Sequence, residues 1–140
     1  MAVTRQQVAE LYVATFNRAP DAAGLDYWVN TSGLTIEQIA KSFFDQAETK
    51  ALYPAGNTDT AFVTSIYTNL FNRAPDAEGL SYWVAKLTAN GTTPAEMTRD
   101  VMIEAMKNGA TGTDATIIAN KATVGLYVTD TLKLNVTNVT

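Results

Sequence analysis

The chain has no cysteine and no histidine. Without cysteine there is no disulfide, no thiol nucleophile and no Cys-ligated zinc or iron–sulfur site. Without histidine there is no Ser-His-Asp triad, no imidazole base and no His-ligated metal. The common hydrolytic routes are therefore closed. The compartment stays open, because secreted and cytosolic chains alike can lack cysteine. Cations are scarce too: ten Lys and Arg stand against fourteen Asp and Glu, for a net charge of −4. Phosphate recognition needs clustered basic residues and these are scattered, so no nucleic-acid partner is expected. No run of 18 or more apolar residues is present, so no membrane span is expected. The opening MAVTRQQVAELY lacks the basic region and apolar core of a cleaved leader. Export, on this reading, uses another signal. The closing LKLNVTNVT stops on an apolar/polar alternation, and the chain is expected to be the N-terminal fragment of a larger protein.

What is present is a duplication. Residues 8–29 and 63–84 align without a gap at an offset of 55, with 14 of 22 positions identical. A repeat of this kind is built by stacking copies of one supersecondary unit. A hydrophobic fraction of 46% over 140 residues supplies one ordinary globular domain with a core of its own.

Helical spacing of Val8, Leu11, Tyr12, Thr15 and Phe16 predicts a first helix over about 5–17, capped by Thr4 and ended by Pro20. Asp21 caps a second helix over about 22–29, its carboxylate accepting from the amides near Gly24, with Leu25, Trp28 and Val29 inward. Thr35 caps a third over about 36–50, burying Ile39, Phe43, Phe44 and Ala47. Tyr53–Asn57 reads as the linker, and Thr58 or Asp59 begins the second copy. There Val63, Ile66, Tyr67, Leu70 and Phe71 repeat the first helix, and Asp76 repeats the cap. Matching Thr35 to Thr93 gives an offset of 58, which pairs those four core positions with Met97, Val101, Met102 and Ala105. Asn108-Gly109 closes the unit, Asp114 caps a seventh helix to about Asp130, and residues 131–140 read as a strand or an ordered tail. The expectation is all-α: repeat 1 over about 4–53, repeat 2 over about 58–109, and a closing helix and tail over 114–140.

The shared core reads N-R-A-P-D-A-x-G-L-x-Y-W. Each residue has a structural task. Arg18 and Arg73 follow a helix C-terminus, where a guanidinium bonds free carbonyls or the capping aspartate. Pro20 and Pro75 break the helix, Asp21 and Asp76 cap the next, and Gly24 and Gly79 permit close helix contact. Trp28 and Trp83 add large area to the core. The same residue types also suit a saccharide, through ring faces for stacking and planar polar groups for paired hydroxyls. Neighbouring helical residues point about 100° apart, so burying Trp28 leaves Tyr27 near the surface beside Arg18, and Tyr82 likewise beside Arg73. Arg18, Tyr27, Arg73 and Tyr82 are the carbohydrate-binding candidates. No catalytic residue and no cofactor are identified. Asn57, Asp59, Asn90 and Asp114 offer oxygen ligands to calcium, but no spacing matches a known calcium loop, so calcium has no located site.

The pattern LYVATFNRAPDAAGLDYW, followed by a helix ending SFFDQAE, resembles the bacterial family called domain of unknown function 4214. Tyr12, Arg18, Pro20, Asp21, Gly24, Leu25, Tyr27 and Trp28 match its motif, as do Tyr67, Arg73, Pro75, Asp76, Gly79, Leu80, Tyr82 and Trp83. The third helix departs from it. The resemblance implies a large extracellular Gram-negative protein, of the surface-layer or calcium-binding repeat type exported by type I secretion. It also implies attachment to lipopolysaccharide O-chains at the cell surface, with self-association in a lattice. The rival expectation is a protein–protein packing module of that lattice, without a sugar site.

Overall fold

The computed structural model describes residues 3–88 and 95–132. Among these residues the fold is all-α: α1 (Arg5–Phe16), α2 (Ala22–Asp26), α3 (Ile36–Phe43), α4 (Ala47–Leu52), α5 (Asp59–Phe71), α6 (Ala77–Leu87), α7 (Arg99–Gly109) and α8 (Gly112–Tyr127). π-Helical turns at Tyr27–Thr31 and Val128–Leu132 prolong α2 and α8. The expected tail beyond residue 132 and the loop residues 89–94, Asn90 and Thr93 included, lie outside the described residues.

The helix starts follow local chemistry. Thr4 and Thr35 each form a reciprocal capping box, with Gln7 and Gln38. Thr58 accepts from the Ala61 amide, Asp21 from Gly24 and Asp76 from Gly79. The helix stops are made by asparagine ahead of the proline. Asn17 and Asn72 sit at φ 52° and 58°, the left-handed region that asparagine tolerates better than most residues. This moves the first boundary from proline back to the motif's own asparagine.

The core forms around α1, which packs against α3, α4, α5, α7 and α8. Val8, Ala9, Leu11, Tyr12, Val13, Ala14 and Thr15 are all buried, so α1 is enclosed on nearly every side and not along the single face expected. In the second copy Val63, Ile66, Tyr67, Leu70 and Phe71 are buried as expected. Cross-links fix the packing. Asn69 donates to the Ala14 carbonyl at 2.9 Å and Lys121 to the Asn69 carbonyl at 2.7 Å. Arg5 pairs with Asp130.

Several boundaries differ from the sequence expectation. The second helix runs on to Thr31 because the Ser32 amide bonds back to the Tyr27 carbonyl at 2.8 Å, an i→i−5 bond that widens the last turn. Trp28 and Val29 are half-buried, and only Leu25 of that face is fully covered. The third helix divides after Phe43. The Phe44, Asp45 and Gln46 amides bond three residues back, and the helix restarts at Ala47. Ala47 consequently faces solvent, Phe44 is half-buried, and Thr49 is buried with its hydroxyl on the Phe43 carbonyl. In the second copy the cap is Thr98. Pairing it with Thr35 gives an offset of 63, which matches buried Ile39, Ala40 and Phe43 to buried Met102, Ile103 and Met106. The offset of 58 fails because the intervening loop is longer than it allows, and Val101 is exposed. Gly109 ends α7 from inside the helix with Ala110 as its cap, and Thr111, not Asp114, precedes α8.

Two glycines mark the motif's tightest contact. A Cβ on Gly24 would lie 2.7 Å from the Tyr12 hydroxyl, and one on Gly79 would lie 2.8 Å from the Tyr67 hydroxyl. Gly79→Ala is therefore expected to destabilise by about 1–3 kcal/mol, the usual cost of overpacking. Adding Tyr67→Phe should recover part of that loss in urea denaturation, and no recovery would place the strain elsewhere.

Tyr53 donates to the Thr15 carbonyl at 2.7 Å, and burial pushes its phenol up to about 12. A raised pKa favours the protonated phenol in the folded state. The contribution is fully present below the unfolded value of about 10 and is lost as pH rises toward 12. The urea midpoint should fall across that window, and more shallowly in Tyr53→Phe.

Candidate functional site

Each motif copy builds a cavity at the junction of four helices. The first has a volume of about 300 Å³ and lies between Tyr12 and Phe16 of α1, Arg18 and Asp21 of the turn, Trp28, Phe43 of α3, and Glu48 of α4. The second, of about 410 Å³, lies between Tyr67 and Phe71 of α5, Tyr82 and Trp83 of α6, Met106 of α7, and Asp114 of α8. The walls correspond in part: tyrosine, phenylalanine, tryptophan and an acid recur, and Met106 takes the place of Phe43 at the offset of 63, whereas Arg18, Asp21 and Gly24 line only the first cavity and Tyr82 only the second. The duplication in sequence is thus a duplication of cavities.

An arginine–carboxylate pair stands beside each one. Arg18 donates through Nε and Nη2 to both oxygens of Glu48, at 2.9 and 2.8 Å, and through Nη1 to the Ala19 carbonyl at 2.9 Å. Arg73 does the same to Asp114, at 3.2 and 2.8 Å, and to the Ala74 carbonyl at 3.3 Å. The bonds to Glu48 and Asp114 hold the two guanidinium groups protonated beyond the ordinary arginine value. Both cations also lie against the aromatic wall. Arg18 sits 4.9 Å from the Tyr12 ring centre, and Arg73 sits 5.2 Å from that of Tyr67. The capping aspartate is the minor partner, with Asp21 at 3.6 Å from Arg18. Burial, with Asp21 second, raises the Tyr12 phenol above its ordinary value, so it stays a neutral donor.

The four candidates from sequence divide unevenly. Arg18 lines the first cavity, but Tyr27, 49% exposed, stands outside it against the edge of Trp28. Tyr82, 54% exposed, lines the second, and Arg73 reaches that cavity through Asp114. The tryptophans expected in the core are instead half-buried at the cavity walls. Glu48 and Asp114 escaped the sequence reading as arginine partners. The one available signal was an acid in the first turn of the helix that follows each third helix. Of the loop residues considered for calcium, Asn57, Asp59 and Asp114 are likewise committed. Arg99 bonds the Asn57 and Asp59 side chains at 2.9 Å each, and Arg73 takes Asp114. Among the described residues no group of three or more acidic ligands converges, and no helix is long and apolar enough to cross a membrane.

The copies differ in what covers the turn. Ala19 and Pro20 are buried under α8, where Gly125 brings its backbone close and the Thr129 hydroxyl lies 2.6 Å from the Pro20 carbonyl. Ala74 is exposed and Pro75 half-exposed. Side-chain exposure follows suit, at 12% for Arg18 and 45% for Arg73. The second site is the more accessible.

No curated protein and no solved structure matches the chain. A family model described as domain of unknown function (DUF4214) matches residues 2–53 and again residues 40–109, which covers the lining of both cavities except for Ala110, Thr111 and Asp114. The chain belongs to the DUF4214 family.

Proposed function

We propose that this domain is a non-catalytic module that attaches a secreted surface-layer protein to the lipopolysaccharide O-chain of a Gram-negative cell. The supporting observation is the pair of similar cavities, each combining aromatic walls with a fixed arginine–carboxylate pair beside them. Saccharides are bound by that combination: ring faces cover the apolar C–H patches, and rigid polar groups take the hydroxyls. Preformed walls matter because weak hydroxyl contacts cannot also offset the ordering of a loop. A non-catalytic role is supported by the carboxylates themselves. Asp21 and Asp76 are committed as caps, and Glu48 and Asp114 as arginine partners.

A second reading, protein–protein packing within the lattice, is favoured by the uncovered Ala74-Pro75 turn. The equivalent turn in the first copy is sealed by a helix, so this one offers a surface of the same shape to a partner.

The two readings separate in a cell-binding assay. Purified domain should sediment with cells bearing O-chains and not with cells lacking them. Tyr82→Ala should weaken that binding several-fold while leaving the thermal midpoint within about 2–4 °C, as suits an exposed ring. Equal binding to both cell types, or loss of stability with intact binding, would contradict the anchoring role.

A further inference from the structure

We infer that the two cavities select electroneutral or amine-bearing sugar residues and reject acidic ones such as uronates and phosphorylated sugars. This deepens the carbohydrate reading above and rests on it. Arginines are the usual ligands of an acidic sugar. In neither is the two-pronged Nε–Nη2 edge free. Each guanidinium spends two donors on a carboxylate of its own chain and a third on a backbone carbonyl. An incoming carboxylate that sought that edge would have to displace a bidentate, charge-assisted pair, and the displaced acid would remain beside it.

The charge balance points the same way. Arg18 faces two carboxylates, Glu48 at 2.8 Å and Asp21 at 3.6 Å. Arg73 is bound by Asp114 and lies in the field of Asp76. The second cavity has one more cation at its rim, Lys86, 4.7 Å from the Tyr82 ring centre, and it pairs with Glu96 at 3.6 Å. The first site therefore holds one carboxylate more than it holds cations, and the second does so when Asp76, beside the cavity and outside its lining, is counted. An anionic sugar meets net repulsion, while an ammonium or a hydroxyl donor meets a surplus of acceptors. The Asp21 oxygen opposite the one that takes the Gly24 amide lies in the first cavity, 3.6 Å from Arg18, and is an acceptor that can serve them.

The test compares equal-length oligosaccharides of galactan, polygalacturonate, chitin and chitosan for binding to the purified domain by calorimetry. Neutral or amine-bearing oligomers should bind at least about tenfold more tightly than the uronate at low salt, and the ratio should shrink as salt screens the repulsion. Asp21→Asn with Asp76→Asn removes two charges while keeping the caps, because asparagine caps as well as aspartate. This variant should narrow the ratio without loss of fold by circular dichroism. Equal or tighter uronate binding, or a ratio unmoved by the double substitution, overturns the inference while leaving the carbohydrate reading standing. Binding to none of the four overturns both.

Discussion

The two-pronged bond from a motif arginine to an acid at the start of a later helix is the contact on which the rest of the architecture turns. Arg18 to Glu48 and Arg73 to Asp114 each tie the turn after the first helix of a copy to the first turn of its fourth. The guanidinium carbon then lies 4.9–5.7 Å from the tyrosine and phenylalanine ring centres that form the cavity wall. The negative acid also sits at a helix N-terminus, where the helix dipole favours it. One interaction thus sets a crossing of helices, the orientation of an aromatic wall and the polarity of a cavity mouth. The motif carries an arginine for this geometry: a lysine could hold the charge but not the fork.

The remaining motif residues serve that same junction. Asparagine stops the helix in a left-handed conformation, and aspartate starts the next three residues after the arginine. Glycine then admits the tyrosine hydroxyl where a methyl group would collide. Tryptophan stands at the wall and not in the centre of the core. A sequence so constrained over a dozen positions reads as structural at every one of them. Its product is nevertheless a concave, aromatic, hydrogen-bonding surface, made twice.

Much of this was legible because it is local. The caps at Thr4, Asp21, Thr35, Thr58 and Asp76 depend on residues within three positions of each other, and all five form. The phase argument that placed Tyr27 and Tyr82 outward also holds, since it needs only helical geometry. What escaped was set by tertiary structure. Burial of α1 on nearly all sides requires knowing that α8 returns to it. The break after Phe43 carries no proline or glycine to announce it. The register of α7 hides behind a loop whose length the repeat does not conserve between its copies, and a threonine five residues too early offered a false match. The acid partners of the arginines lie 30 and 41 residues away, beyond any local pattern.

The two copies have diverged in cover while keeping their walls. The first is sealed against α8 through Gly125 and Thr129, and the second stands open at Ala74. The central claim, that the repeated motif exists to make two sugar-binding cavities, is tested most directly by titrating 15N-labelled domain with O-polysaccharide. The chain has two tryptophans, one in each wall, so two indole N–H resonances report separately on the two sites. The account predicts that both shift saturably, with the Trp83 signal responding at the lower concentration. Saturable binding that moves neither indole would contradict it.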